Sequence, residues 1–191
     1  YGRLDGTTII EQTAITGDVQ IQAGDDAGQT FTYTSGDGTY RLAEVGLTLY
    51  EESGQPFQTV TLTIRDSFNG TILTSASIDS NEMTTSFAEY TFDVADITLN
   101  DGQEYVIQVE TTGSKIRIGR SSSDPYAGGT RLNTGGNVQN NEDLTFRINR
   151  VTNFTSNLVL HHTFDTDASD SSGNNYDGTL QNGASINTTS G

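Results

Sequence analysis

The chain has 191 residues, room for one domain of ordinary size and a fragment of another, and its 25 acidic and 9 basic residues give a net charge of −16. This charge repels nucleic-acid phosphates and anionic membrane surfaces, so the sequence argues against nucleic-acid binding. The sequence contains no cysteine, which excludes a disulfide framework and Cys-ligated metal sites. No apolar run approaches the roughly 20 residues that span a bilayer, and we expect no membrane insertion.

The acidic surface favours an extracellular or cell-surface location. Aspartate outnumbers glutamate, and Lys115 is the single lysine. Such a surface is well solvated at high ionic strength, and its hard carboxylates suit divalent cations, as in a salty, calcium-rich exterior. Tuning of solubility alone explains the same charge equally well.

Short alternations of apolar and polar residues recur from about residue 14 to residue 149. In "QTVTLTIR", Val60, Leu62 and Ile64 share one face and the threonines between them share the other, as in a half-buried strand. The same period points three further sets of side chains inward: Tyr90, Phe92 and Val94; Tyr105, Ile107 and Val109; and Leu144, Phe146 and Ile148. About nine or ten such strands, without any segment of helical period, predict an all-β fold, a two-sheet antiparallel β-sandwich of the jelly-roll type.

The same pattern also predicts a bulge and several turns. In "YRLAEVGLTLY" the apolar set changes phase between Leu42 and Val45, which predicts a bulge near Ala43 and Glu44. The stretches "SGDGT", "SFNGT" and "LNDGQ" place Asn-Gly or Asp-Gly pairs between strands, where a turn needs positive φ.

The polar segment "RVTNFTSN", residues 150–157, is predicted to be a linker. The first domain therefore spans residues 1–149. The segment "LVLHHTF" starts a new strand at Leu158, and residues 158–191 are too few for a complete second domain. We expect them to form a partial second β-sandwich at the C-terminal end of the chain.

Two stretches resemble known families. Residues 28–149, from "GQTFTYT" through "EYTFDVADITLNDGQEYVIQVE" to "DLTFRIN", resemble a β-sandwich module of large secreted and surface proteins of bacteria. Modules of this kind occur beside carbohydrate-active or adhesive domains, so the resemblance implies a setting and a fold.

The segment "LVLHHTFDTDASDSSGNNYDGTLQNGA" resembles the start of a concanavalin A-like, laminin-G-type domain. This resemblance implies that Asp170 and Asn174 shape a turn and contribute to a calcium site completed by residues outside the chain. The spacing does not fit an EF-hand that starts at Asp165, because position 6 is Asp170 where glycine is required and position 12 is Tyr176 where glutamate is required.

The sequence argues against catalysis. Both histidines, His161 and His162, lie side by side in the predicted strand of the second domain, where one faces in and the other out. The first domain has no histidine, no cysteine and no Gly-x-Ser-x-Gly motif, which removes the usual general bases and nucleophiles. Two carboxylates can hydrolyse glycosides, but nothing in the sequence selects a pair among so many.

The segment from residue 120 to residue 142 is the longest stretch without strand character, and long loops in compact domains are often functional. It supplies the candidate carbohydrate-binding residues Arg120, Asp124, Tyr126, Arg131 and Asn133. The tyrosine offers a face for the apolar side of a sugar, and the others offer planar polar groups for its hydroxyls. In the alternative, residues 124–126 form a turn whose tyrosine packs down on the sandwich. Phe57 and Phe68 are further loop aromatics that either stack on a sugar or plug the ends of the sandwich.

A calcium site is predicted from four carboxylates. Asp25 and Asp26 in "AGDDAG" and Glu142 and Asp143 in "NNED" lie near the two ends of the first domain, and terminal strands of sandwiches often run side by side. Together they would offer the oxygen ligands that calcium prefers. The alternative is a pair of solvated turns.

From these patterns we expect a non-catalytic carbohydrate-binding or adhesive module of a larger extracellular bacterial protein, stabilised by calcium. Its expected partner is a polysaccharide or cell-surface glycan, and residues 158–191 are a second expected contact, with neighbouring chains. Two alternatives remain: a structural spacer or assembly module without a ligand, and an accessory domain of a polysaccharide hydrolase or lyase.

Overall fold

The structure is a computed structural model that describes residues 7–34, 40–52, 58–113 and 115–152. The chain divides into two units after Val151, and the description covers the first of them. The predictions for Phe57, for both histidines, for the "SGDGT" turn and for residues 158–191 lie outside the described residues.

The described residues form two antiparallel sheets. The strands are β1 (Thr7–Gln12), β2 (Gly17–Ile21), β3 (Asp26–Thr32), β4 (Tyr40–Glu51), β5 (Thr59–Arg65), β6 (Ile72–Asp79), β7 (Ala88–Ile97), β8 (Glu104–Thr111), β9 (Ile116–Ser121), β10 (Arg131–Leu132), β11 (Val138–Gln139), β12 (Asp143–Leu144) and β13 (Phe146–Thr152). A single 3₁₀ turn, Ser80–Glu82, follows β6. The predicted all-β, two-sheet sandwich is thereby confirmed.

Sheet 1 has seven strands and sheet 2 has six. Sheet 1 runs in the order β1-β13-β4-β9-β12, with β2 also paired to β9 and β7 also paired to β4. Sheet 2 runs β11-β10-β3-β8-β5-β6. In sheet 1 the first described strand pairs with the last, from Thr7 opposite Arg150 to Gln12 opposite Phe146.

The core lies between the sheets and is built from the alternating apolar positions. Val60, Leu62 and Ile64 are fully buried. The other predicted inward sets are buried as well, apart from Tyr90, which is partly buried against the core. The inward direction of these four sets of side chains therefore follows from the sequence, because side chains of a strand alternate between its faces.

A register shift lies where the phase change predicts it. Leu42 pairs with Ile97 and Glu44 pairs with Asp93, so Ala43 alone lies opposite three residues of β7. The surplus belongs to β7, where Ala95 and Asp96 are both exposed in succession. A bulge of this kind bends its strand and redirects side chains.

Two of the predicted turns lie in the described residues, and each contains the expected positive φ. In "SFNGT" the residue with positive φ is Asn69, at 58°, while in "LNDGQ" it is Gly102, at 74°. Asparagine and glycine are the residues that tolerate this conformation best.

Three parts of the predicted strand map need correction. β1 precedes the first predicted strand, and its adjacent isoleucines, Ile9 and Ile10, do not alternate. The segment 120–142 begins with the last two residues of β9 and contains β10 and β11, which are two residues long and too short to show a period. β13 continues to Thr152, into the segment predicted as a linker.

Candidate functional site

Two of the candidate sugar-binding arginines converge on one of the candidate calcium ligands. Arg120 Nη1 lies 2.8 Å from Glu142 Oε1, and Arg131 Nε lies 2.7 Å from Glu142 Oε2. The three side chains are 27, 10 and 22% exposed for Arg120, Arg131 and Glu142 respectively. Charge-assisted bonds of this length occupy both carboxylate oxygens, so this Arg-Glu-Arg cluster ties β9 to β10.

Tyr126 and Asp143 form part of a second, more deeply buried group. Asp143 is fully buried, and its Oδ1 and Oδ2 accept hydrogen bonds of 2.9 Å from Gln29 Nε2 and from the Tyr126 backbone N–H. Burial raises the pKa of Asp143, and the nearby charge of Asp124 raises it further. The hydrogen bonds compensate an otherwise costly buried carboxylate.

The ring of Tyr126 packs against the sandwich. It lies edge-on to Phe146, with centroids 5.3 Å apart, and its hydroxyl oxygen accepts a 3.3 Å hydrogen bond from the Thr32 backbone. Burial raises the pKa of this hydroxyl. The arrangement corresponds to the packed alternative of the sequence analysis, and it leaves the ring little free face for a sugar.

The remaining two candidates of the loop shape turns. Asp124 has a φ of 49°, and its backbone N–H donates to the Asn141 carbonyl at 3.1 Å. Asn133 Oδ1 accepts from the Asn137 backbone at 3.1 Å. The structure thus distributes the five loop candidates among a salt-bridge cluster, a buried group and two turns.

The four predicted calcium ligands do not share one site. Asp26 lies at the start of β3, and its Oδ2 accepts a 2.6 Å hydrogen bond from Gln108 Nε2. Burial is the main cause of its raised pKa, to which Asp25 adds. Asp25, Asp26 and Glu110 line a cavity of about 210 Å³, yet within the described part of the chain no three acidic or histidine side chains come close enough to hold one metal ion.

Phe68 covers glycine backbone instead of presenting a platform. Its ring lies over Gly28 and Gly136, where an added Cβ would come within 3.0 Å and 2.7 Å of it. Both glycines are therefore needed for this close approach. The ring is partly buried, as expected for a plug.

A different feature, an open cleft of about 590 Å³, lies where β4 and β8 begin and β7 ends. It is lined by Arg41, Asp66, Leu73, Asp96, Ile97, Thr98, Leu99, Asn100, Gln103 and Tyr105. The β7 bulge exposes Asp96, and the turn between β7 and β8 supplies the two amides. Polar groups and apolar side chains thus meet in one concave surface.

Most polar groups of the cleft are already engaged with the protein. Asp66 Oδ1 accepts from the Thr71 backbone at 2.9 Å, and hydrogen bonding to Thr71 is the main cause of its lowered pKa. Asn100 Nδ2 donates to Gln103 Oε1 at 3.1 Å. These bonds hold the rim in place, which favours a preformed site.

Neither this cleft nor an aromatic pair at sheet 1 is predicted from the sequence. Tyr50 and Phe87 meet edge to face with centroids 4.8 Å apart, and Phe87 is 36% exposed. The residues of the cleft come from four separate segments of the chain, so no local sequence motif predicts the cleft. An outward position for Tyr50, which is partly buried, follows from the β4 alternation, since Leu47 and Leu49 face inward.

No protein-family model matches the sequence, and no curated protein matches it. None of the described helical structure is long and apolar enough to cross a bilayer.

Proposed function

We propose that this chain is a non-catalytic carbohydrate-binding module of an extracellular protein, and that its binding site is the cleft between the starts of β4 and β8 and the end of β7. The observation that carries the proposal is the lining of this cleft. A guanidinium, carboxylates and amides suit sugar hydroxyls, and Leu73 and Ile97 suit the apolar edges of a sugar ring.

The absence of catalysis is part of the proposal. A glycosidase needs one carboxylic acid with a raised pKa as proton donor. In the cleft the pKa of Asp66 is lowered, so this side chain stays ionised and is a poor general acid. None of the four residues predicted as calcium ligands lines the proposed site.

The experiment is affinity electrophoresis of the full chain through gels that contain one soluble polysaccharide each. Retarded mobility in at least one gel is expected. Leu73→Trp should abolish the retardation, because Leu73 is 38% exposed and a larger ring at this position fills the cleft. Val138→Trp is the matched control, since Val138 is 53% exposed and lies outside the cleft. Equal retardation of both variants would place the site elsewhere, and no retardation by any polysaccharide would contradict the function.

Assembly with neighbouring chains is a second candidate function, and one observation favours it. β6 ends sheet 2 in the described residues, contains neither lysine nor proline, and exposes Ile72 to 52%. Open edges without such protection can pair with another chain. Sedimentation velocity over a wide concentration range distinguishes the two: a concentration-dependent dimer that Ile72→Lys dissolves would support assembly, and a monomer throughout would exclude it.

A further inference from the structure

Arg41 is unusual among the described arginines because it has no partner. Its guanidinium lines the cleft, and it makes no hydrogen bond and no ion pair with any residue in the described part of the chain. The side chain is exposed. An arginine carries five N–H donors in a rigid fork, and here the whole fork remains available.

The other described arginines all have partners. Arg65 pairs with Glu110, Arg117 with Asp18 and Glu52, Arg120 and Arg131 with Glu142, and Arg147 with Glu11 and Glu89, while Arg150 is also engaged. The chain has 25 acids for 9 bases. With acids in such excess, Arg41 stands out among the described arginines, and it lies in the cleft proposed as the binding site.

The neighbouring acids of the cleft do not serve as its partner. No Asp66 or Asp96 oxygen lies within ion-pair distance of Arg41, and both carboxylates have other interactions. Arg41 therefore offers the cleft a planar, positively charged donor that is not engaged by its acidic neighbours. A planar carboxylate matches it in shape and charge, because it accepts two parallel N–H bonds.

Building on the proposed function, we infer that the glycan bound in this cleft is acidic and presents a uronate carboxylate to Arg41. The net charge of the protein opposes an anionic ligand at long range. At an ionic strength of about 0.15 M the Debye length is about 8 Å, so distant charges are screened, whereas Asp66 and Asp96 in the cleft still oppose the ligand and direct contact with Arg41 must outweigh them. The uronate is thus bound through direct contact with Arg41 and is not drawn in by the long-range electrostatic field of the protein.

The test compares acidic polysaccharides with their own neutral forms. Polygalacturonate and alginate are used as probes, together with the same polymers after reduction of their carboxylates to alcohols. Binding of the full chain to at least one acidic probe is expected, with a loss of tenfold or more for its reduced form. Arg41→Gln should lose binding to the same extent, and Arg41→Lys should retain part of it.

Lys115→Gln is the control, because it removes one positive charge from an exposed position outside the cleft. It should leave binding unchanged. Thermal unfolding should be the same in wild type and Arg41→Gln, because the Arg41 guanidinium has no hydrogen bond or ion pair among the described residues to lose. Equal binding of acidic and reduced polymers, or full binding by Arg41→Gln, overturns this inference and leaves the proposed function standing. If neither acidic nor neutral polysaccharides bind, both are wrong.

Discussion

Glu142→Gln tests the interpretation that the Arg-Glu-Arg cluster stabilises the fold. The substitution keeps the size of the side chain and removes its charge. One arginine can still donate to the remaining carbonyl oxygen, while the other faces an amide that is itself a donor. Either Arg131, whose side chain is 10% exposed, or Arg120, whose side chain is 27% exposed, is then left without a carboxylate partner.

The magnitude follows from the burial of the cluster. Exposed ion pairs contribute about 0 to 1 kcal/mol, and removal of one partner from a buried pair costs about 3 to 5 kcal/mol. Exposures of 10 to 27% lie between these limits, so we expect a loss of about 2 kcal/mol. For a domain of this size that corresponds to a fall in Tm of about 4 to 8 °C.

The assay is urea and thermal unfolding of wild type and variant at low and at 0.5 M salt. Glu89→Gln is the matched control, since its pair with Arg147 is 41 and 33% exposed and should contribute at most about 0.5 kcal/mol. The Glu142→Gln deficit should persist at high salt, because partly buried pairs are screened less. A loss no larger than that of Glu89→Gln would refute the reasoning, and so would a loss of glycan binding without a loss of stability.

Three further predictions concern the backbone, pH and metal. Gly129→Ala should cost more than about 2 kcal/mol in urea unfolding, because its Cβ would lie 1.8 Å from the Thr30 carbonyl oxygen; Gly17→Ala, with its nearest atom at 3.5 Å, should cost far less. The pKa values of Asp26 and Asp143 are raised in the folded state. Their contribution to stability is therefore complete below the unfolded pKa and is lost as the pH rises through the folded pKa. Asp26→Asn should make the fall in stability from pH 4 to pH 7 shallower, and an unchanged slope would contradict this. Addition of EDTA should leave Tm unchanged, and a rise in Tm with calcium would show that a site exists after all.

The core could be predicted from the sequence because its signal is local. Alternation within one strand decides which side chains face inward, and it does so for Val60 and Ile107 without any knowledge of their neighbours. The register shift opposite Ala43 was predictable for the same reason, since a change of phase is visible within a few residues. What the alternation does not show is which strand carries the surplus residues, and here it is β7.

The side-chain groups around Glu142 and Asp143 could not be predicted, because their partners lie far away in the sequence. Glu142 and Asp143 were predicted together as calcium ligands because they are adjacent in the chain, yet Glu142 precedes β12 and bonds to two arginines while Asp143 begins β12 and bonds to Gln29 and Tyr126. The partner of Asp143 is Gln29, 114 positions away in the chain. Among 25 acids, no local feature distinguishes one that meets two arginines from one that meets solvent.

The pairing of β1 with β13 has a mechanical consequence. Thr7 lies opposite Arg150, so the chain enters and leaves this sandwich at two adjacent points, about 5 Å apart. A force applied to the two ends loads the hydrogen bonds between β1 and β13 one after another, beginning with the outermost pair. The two strands therefore separate one residue pair at a time. Under tension on these two ends the sandwich therefore opens at low force, because only one pair of residues carries the load at a time.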